Sequence, residues 1–223
     1  MPAKRTFQNL PETKRRRITD VAVEEFAAQG YAGASINRMI DRLQIAKGSI
    51  FQYFGDKSGL FMYVFNVAMT LVKDYLRDVR DSTADEDIFA RLNQTLSAGI
   101  AFVNAHPRIY TLYLRIQFDQ TTPFRDDILS SLRKYSLAYL RSLLQDARDN
   151  GELRTDLDLD QAAFLLDAVM DRFLQSLSME HFDAGLGLYR LDRDRAEKWA
   201  QALVAVIRNG IAGDVKGGSH GHG

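Results

Sequence analysis

Apolar and polar residues follow a helical repeat along nearly the whole chain. Apolar positions recur at intervals of three and four residues, whereas alternation with a period of two is not sustained. Between Gly59 and Gly185 the chain contains two further glycines and two prolines. Because these residues are the usual helix breakers, their scarcity favours long helices joined by brief turns. The pattern therefore predicts an all-α protein.

Three short helices are predicted before residue 57. The first covers 11–29, and Gly30 suits the left-handed residue that follows a last helical turn. The second covers 36–43, after Ser35, whose hydroxyl can accept hydrogen bonds from free backbone N–H groups. The third covers about 47–54. Three such helices bury too little apolar surface to stand alone, so a fourth must tie them to the rest of the chain.

Longer helices are predicted in the rest of the chain. Asp56 can cap a fourth helix that covers 57–80. The remaining helical segments lie near 85–105, 107–119, 124–149, 160–180 and 193–212. We therefore divide the chain into a small helical domain at 11–56, a larger helical domain at 57–212 and a flexible tail at 213–223.

The third predicted helix has two different faces. When residues 47–54 are wound at 100° per residue, apolar and polar side chains separate. The inward group consists of Ile50, Phe51 and Phe54, and the outward group consists of Gly48, Ser49 and Gln52, with Tyr53 at its edge. The outward face is small, able to hydrogen-bond and free of acidic groups. Because a helix that enters the major groove of DNA needs these properties, the second and third helices are predicted to form a helix-turn-helix.

Other side chains near this face are candidates for contacts to DNA phosphates. Lys47 projects toward the edge of the packed side, and Tyr53 can reach a phosphate through its hydroxyl. Ser35 and Lys57 each open a helix, where free N–H groups and the helix dipole attract phosphate oxygens. The predicted DNA-binding residues are Ser35, Lys47, Gly48, Ser49, Gln52, Tyr53 and Lys57. The alternative is a helical hairpin whose polar face contacts only water.

Charge is unevenly distributed along the chain, although the net charge is zero. Residues 1–60 hold ten Lys/Arg and six Asp/Glu, a balance of +4, so the remainder carries −4. This asymmetry favours contact with a polyanion at one end of the molecule, and a local fluctuation in composition is the alternative. No apolar run approaches the roughly 20 residues needed to cross a bilayer, and there is no cysteine. We therefore expect a cytoplasmic protein with no membrane partner and no disulfides.

Residues 14–61 resemble the N-terminal DNA-binding region of the TetR family of bacterial transcription regulators. The stretch reads KRRRITDVAVEEFAAQGYAGASINRMIDRLQIAKGSIFQYFGDKSGLF. Its matching residues, in the order of the family, are Phe26, Gly30, Tyr31, Ser35, Ile45, Lys47, Gly48, Ile50, Tyr53, Phe54, Lys57 and Leu60. The resemblance implies a helix-turn-helix domain followed by a helical region that binds a small molecule. It also implies a homodimer that releases its DNA when the small molecule binds.

The stretch departs from the family pattern at four positions. Gln44 stands where the turn usually has glycine, so we expect backbone strain or an altered turn there. Ala46 replaces the usual serine cap, which forfeits about 1 kcal/mol of helix-start stability. Phe51 replaces a tyrosine that usually contacts a phosphate, and Ile40 replaces a smaller alanine. The resemblance therefore implies the motif but not the operator sequence.

Two later segments are predicted to build a dimer interface. Residues 161–177 are apolar on more than one side, which indicates contacts beyond the bundle to which they belong. The last predicted helix offers a second apolar stripe. The predicted four-helix interface takes Phe164, Ala168 and Phe173 from one segment and Trp199, Leu203 and Val206 from the other. The alternative is a monomer in which both segments are core helices.

A ligand cavity is predicted beside the helix at 107–119. The candidate lining residues are Phe102, Tyr110, Tyr113, Leu114, Gln117 and Tyr139. Such a lining suits a lipophilic or aromatic effector, and plain core packing is the alternative. Arg172 lies off the polar stripe of its helix and is a candidate partner for a ligand carboxylate or phosphate. The alternative for Arg172 is an ion pair at a subunit boundary.

The motifs of the chain do not indicate an enzyme. The sequence lacks a glycine-rich phosphate loop and an H-E-x-x-H zinc motif, and neither His106 nor His181 has a visible acid–base partner. We expect no cofactor and no metal site, since the two histidines of the tail have no fixed third ligand. The sequence therefore predicts a ligand-responsive regulator, a repressor that binds a palindromic operator in double-stranded DNA as a homodimer. The alternative is a helical ligand carrier or protein-interaction module that does not read DNA.

Overall fold

Helices account for most of the chain between residues 5 and 209, the range that the structure, a computed structural model, describes. They are α1 (Arg5–Gln8), α2 (Glu12–Gly33), α3 (Ile36–Leu43), α4 (Ser49–Phe54), α5 (Lys57–Ser82), α6 (Ile88–Ala105), α7 (Pro107–Phe118), α8 (Arg125–Asp149), α9 (Leu159–Ser178) and α10 (Arg193–Asn209). The all-α prediction is confirmed. The predicted tail at 213–223, with its two histidines, lies outside the described residues.

The helix boundaries follow the local signals in the sequence. The predicted second helix, 36–43, begins and ends as expected, and Gly30 has the expected positive φ of 67°. The chain makes one more helical turn after Gly30 before α2 ends. Helix α4 begins at Ser49, two residues later than predicted, because a turn forms first and the Ser49 N–H donates to the Ala46 carbonyl at 2.9 Å. Helix α6 begins after Asp87, whose carboxylate caps it by accepting from the Ala90 N–H at 2.8 Å.

The short helix α1, which the sequence analysis does not predict, decides which side of α4 is buried. The ring of Phe7 lies 5.7 Å from the ring of Tyr53 and 4.8 Å from that of Phe54. Tyr53 is 7% exposed, whereas Phe51 is 47% exposed. The predicted positions of these two residues are therefore wrong, and they exchange places. Because Tyr53 and Phe51 flank Ile50 on opposite sides of the helix, the extra apolar partner on one side determines which of them is covered.

A buried carboxylate joins α2 to α3. Glu25 accepts hydrogen bonds from the Ser35 N–H at 2.9 Å and from the Arg38 guanidinium at 2.5 Å. Burial opposes ionisation of Glu25, but the hydrogen bonds from Arg38 and Ser35 outweigh it and lower the pKa of the carboxyl. The Ser35 hydroxyl accepts from the Arg38 N–H at 3.4 Å, so the predicted cap of α3 is confirmed. These bonds hold α3 at a fixed angle to α2.

Two large apolar cores fill the molecule. The first is built mainly from α1–α5, but it also includes Leu112 and Ile116 of α7 and Ile128 of α8. The second lies among α6, α8, α9 and α10. The N-terminal helices therefore share their core with the larger helical region, and the division between residues 56 and 57 stays a prediction. Among residues 5–209, the helices are not long and apolar enough for any of them to cross a membrane.

Candidate functional site

The outward side of α4 forms a polar, open surface. Gly48 and Gln52 are exposed and Ser49 is half-buried, while Ile50 and Phe54 lie behind them in the core. A Cβ atom placed on Gly48 would meet no atom within 4 Å. The backbone at the start of α4 is therefore open to a close approach by another molecule.

The exposed ring of Phe51 adds an apolar group to this surface. Sequence reasoning places Phe51 in the core, and the contact that would have corrected this lies in α1. An apolar side chain beside Gln52 can pack on the C5-methyl group of thymine, while the amide of Gln52 can pair with an adenine edge. The surface thus combines both kinds of group that distinguish base pairs in the major groove.

The turn before α4 is strained, as the sequence predicts. Gln44 has φ 54° and ψ 47°, a left-handed conformation that favours glycine. Its side-chain amide donates to the Asp41 carbonyl at 2.5 Å, which ties the turn to the end of α3. The helix-turn-helix is therefore completed without glycine, and a local hydrogen bond offsets part of the cost of about 1 kcal/mol.

The two lysines predicted to contact phosphates differ in whether their ammonium groups already have a partner in the protein. Lys47 is exposed. The ammonium of Lys57 instead donates to the Ala32 carbonyl at 3.1 Å and lies 4.8 Å from the centre of the Tyr31 ring. Burial lowers the pKa of Lys57. The unpaired carbonyls at the end of α2 attract this ammonium, and the contact of Lys57 with a DNA phosphate stays a prediction.

A cavity of about 240 Å³ lies among α5, α6, α7, α8 and α9. Its lining is largely apolar and includes the aromatic side chains of Tyr75, Phe102, Tyr110, Tyr113, Tyr135 and Tyr139. Four of these, Phe102, Tyr110, Tyr113 and Tyr139, are among the predicted lining residues. A concave apolar space with a few polar groups is the usual form of a small-molecule site.

Three other predicted lining residues lie elsewhere. Leu114 packs behind the wall, since it is rotated by 100° from its neighbour Tyr113. The Gln117 side chain lies beyond the end of the cavity, where it accepts from the Gln175 amide at 2.9 Å. The Arg172 guanidinium lies outside, 4.4 Å from the centre of the Phe182 ring. Arg172 follows the exposed Leu165 by seven residues and therefore shares its outward face.

A charged cluster that sequence reasoning misses lines one end of the cavity. Arg133 of α8 pairs with Asp167 at 3.1 Å and with Asp171 at 2.5 Å, both on α9. Tyr113 donates to Asp171 at 2.8 Å, and Ser136 donates to Asp167. Two acids four residues apart on a helix rich in apolar residues are the signal that could have located this cluster, because half-buried carboxylates require partners.

The charged cluster and the burial around it raise the pKa values of two tyrosines that line the cavity. Burial, followed by the charge of Asp171, raises the pKa of Tyr110 and of Tyr113. Both phenols therefore stay protonated at neutral pH. The Tyr113 hydroxyl is hydrogen-bonded, whereas the buried Tyr110 hydroxyl has no hydrogen-bond partner in the described part of the chain.

Helices α9 and α10 present an exposed apolar surface. Phe164 and Leu165 on α9 are 63% and 62% exposed, and Val206 on α10 is 52% exposed. Ala168 and Trp199 are also exposed and Leu203 is half-buried, but Phe173 is buried in the second core. The prediction that Phe173 belongs to the dimer interface is therefore wrong. Phe173 follows the inward-facing Leu166 by seven residues and so shares its buried side of α9. The other five predicted interface residues remain accessible to a partner.

Helix α7 contacts both the cavity and the N-terminal helices. Tyr110 and Tyr113 line the cavity, and Leu112 and Ile116 both line the cavity and belong to the N-terminal core. Polar contacts reinforce this packing. Arg108 pairs with Glu24, which also pairs with Arg42 of α3, and Arg115 donates to the Ala28 carbonyl at 2.9 Å. A change in the position of α7 is therefore transmitted directly to α2.

Two family models match the chain. Residues 18–64 match the model described as bacterial regulatory proteins, tetR family. Residues 114–190 match the model described as the C-terminal domain of tetracyclin repressor-like proteins. The first range includes α3 and α4, and the second includes the end of α7 and all of α8 and α9.

Relatives and solved structures agree with these matches. A TetR family transcriptional regulator from Chloroflexus aurantiacus is 30% identical, with a TM-score of 0.72, and the match covers 94% of this chain and 98% of that one. The transcriptional repressor SCO4008 of Streptomyces coelicolor is 27% identical over 87% of this chain and 96% of its own length. The regulator FadR of Bacillus subtilis, solved with stearoyl-CoA, has a TM-score of 0.68 at 18% identity, with 88% and 99% of the two chains covered.

We expect the two cavity tyrosines to respond differently to loss of the hydroxyl. Tyr113→Phe removes a hydrogen bond to a carboxylate and should lower the free energy of unfolding by about 1–3 kcal/mol. Tyr110→Phe removes a buried hydroxyl that has no partner among residues 5–209 and should leave the stability unchanged or raise it by about 1 kcal/mol.

Urea unfolding followed by circular dichroism measures both values, and each variant serves as the size-matched control of the other. A larger loss of stability for Tyr110→Phe than for Tyr113→Phe would contradict the hydrogen bonding described for this cavity.

Proposed function

The chain belongs to the TetR family of bacterial transcription regulators, and on that premise we propose that it represses transcription by binding a palindromic operator as a homodimer. A small lipophilic or aromatic molecule in the cavity releases the operator. The observation that carries this proposal is the outward surface of α4, where Gly48, Ser49 and Gln52 face away from the core that holds Ile50 and Phe54.

The chemistry of this surface supports DNA as the partner. Gln52 supplies a donor and an acceptor for a base edge, Ser49 supplies a hydroxyl, and Gly48 lets the backbone come close. Exposed Lys47 supplies a charge for a phosphate. Residues 11–56 form the DNA-reading domain in this proposal, and residues 57–212 form the domain for ligand binding and dimerisation.

The exposed apolar surface of α9 and α10 supports the homodimer. Side chains as large as Phe164, Leu165 and Val206 are exposed on α9 and α10, and a second copy would cover them. A two-fold dimer places the same surface of each copy against the other. The two α4 helices then enter major grooves about one turn of DNA, roughly 34 Å, apart, which matches a palindromic operator.

The position of α7 supports release by a ligand. A molecule held against Tyr110 and Tyr113 pushes on the helix that also carries Leu112 and Ile116 in the N-terminal core. Binding then favours a dimer in which the two α4 helices have the wrong spacing for one duplex. That FadR of Bacillus subtilis was solved with stearoyl-CoA shows that a protein of this fold holds a lipophilic ligand.

We predict that Gln52→Ala and Lys47→Ala weaken DNA binding in different ways. Gln52→Ala removes a base contact, so it should cost about 1–3 kcal/mol on the preferred duplex and relax the preference at one base pair of each half-site. Lys47→Ala removes a phosphate contact, so it should weaken binding to all duplexes alike and reduce the slope of log K against log salt by about 1 per subunit.

Fluorescence anisotropy with a duplex that the wild-type protein selects from a random pool measures both effects. Lys198→Ala is the control, because Lys198 is an exposed lysine on α10, outside the DNA-reading surface. Unchanged affinity and unchanged base preference in both variants would exclude the proposed surface and would favour a helical carrier or interaction module.

We predict that a charge on the α9–α10 surface separates the subunits. Phe164→Asp combined with Val206→Asp should convert a particle of twice 25.3 kDa into one of 25.3 kDa in sedimentation equilibrium. Two buried carboxylates on each subunit are costly to desolvate, which is the reason for the dissociation.

Phe124→Asp is the matched control, since Phe124 is 49% exposed at the start of α8 and outside this surface. The control should remain dimeric. A double variant that sediments as a dimer would place the interface elsewhere.

A further inference from the structure

The charged side chains that line the cavity include more carboxylates than cations. Arg133, Asp167 and Asp171 are the charged side chains of the lining within the described residues. One guanidinium thus faces two carboxylates, and the cluster carries a formal charge of one negative. Arg133 already bonds to both acids, at 3.1 Å and 2.5 Å. The two carboxylates are largely withdrawn from water, and neutral donors on Tyr113, Gln175 and Ser136 also hydrogen-bond to them, so the excess charge is hydrogen-bonded but not neutralised.

Three cationic side chains near the cavity contact aromatic rings or an acid. The Arg172 guanidinium lies on the Phe182 ring outside the cavity. The Lys73 ammonium lies 5.1 Å from the centre of the Tyr135 ring, and Lys73 is exposed. Arg91 pairs with Asp146 at 3.5 Å. These three side chains are not part of the lining, and Arg172 instead lines an adjoining pocket that it shares with Arg133, Asp167 and Asp171. The lining of the cavity itself therefore keeps one cation and two acids.

The rest of the lining is suited to a positively charged group. Seven aromatic side chains line the space, including Phe65, and the faces of such rings attract cations. The buried Tyr110 hydroxyl, which has no partner in the described residues, can accept a hydrogen bond from an N–H group. The negative field is also felt by the phenols, because Asp171 adds to burial in raising the pKa of Tyr110 and Tyr113.

We propose that the effector of this protein is a lipophilic cation, in which a protonated amine lies between the Asp167–Asp171 pair and the Tyr110 hydroxyl and an apolar body fills the aromatic part of the cavity. This inference rests on the proposed function and names its ligand class. A fatty acid or another carboxylate is disfavoured, because it adds a negative charge beside two carboxylates that already saturate Arg133.

A set of three probes of equal length tests the charge preference. The cavity of about 240 Å³ exceeds the roughly 150 Å³ that accommodates a benzene ring, so a ring with a short chain suits it. The probes are 4-phenylbutylamine, 4-phenylbutanol and 4-phenylbutanoate, which differ in their end group. Isothermal titration calorimetry at pH 7 should give the amine the lowest dissociation constant, about tenfold or more below that of the alcohol, and should show no binding of the carboxylate.

Variants of the cluster should shift the preference in opposite directions. Asp171→Asn neutralises the excess charge and should weaken binding of the amine about tenfold while the alcohol changes little. Arg133→Gln leaves both carboxylates without their cation and should tighten binding of the amine. Asp160→Asn is the control, because Asp160 lies on the same helix, pairs with Arg141 at 3.1 Å and is outside the cavity. This control should bind the amine like the wild type.

Each outcome decides the inference separately from the proposed function. Equal or tighter binding of 4-phenylbutanoate, or an amine affinity that Asp171→Asn and Arg133→Gln leave unchanged, overturns the lipophilic cation. So does the absence of binding by all three probes. The proposed function is tested in the same samples by the affinity for the selected duplex. If the protein binds the duplex and 4-phenylbutanoate releases that duplex, the proposed function is supported and the lipophilic-cation inference is excluded.

Discussion

The packing of α7 between two different surroundings is the constraint on which the function of this protein depends. Tyr110 and Tyr113 face the cavity, and Leu112 and Ile116 line it while also belonging to the core of the N-terminal helices. Because close-packed side chains transmit small displacements, a ligand that moves α7 also disturbs the N-terminal core. The ion pair of Arg108 with Glu24 is an exposed addition to this packing, and the apolar contacts carry most of the coupling.

The charged cluster gives the cavity its chemical character. Without Arg133, Asp167 and Asp171, the space would be a gap in an apolar core and would accept any molecule of suitable size. With them, the gap has a polar end of defined sign, held in place by hydrogen bonds from Tyr113 and Ser136. A half-buried cluster is costly to maintain, so its presence at the one end of the cavity that approaches the exposed surface of α9 is consistent with a ligand that completes it.

The sequence predicts the fold more fully than the site. Helix positions follow from local signals, such as the caps Ser35 and Asp56, and these hold in the structure. The side of α4 that is buried could not be predicted in full, because it depends on Phe7, which is distant in the sequence. For the same reason Arg133 was missed, since its partners lie on another helix. Properties that depend on a single helix are predictable from its own residues, whereas partners across helices are not.

The dependence of operator affinity on cavity occupancy is the most direct measure of coupling through α7. The dissociation constant for the selected duplex is measured by anisotropy with and without a saturating cavity ligand, and that of the ligand is measured with and without the duplex. We predict that the ligand and the duplex each weaken binding of the other by at least about fivefold, and linkage requires that the two factors be equal. A duplex affinity that stays constant while the cavity is filled would contradict it.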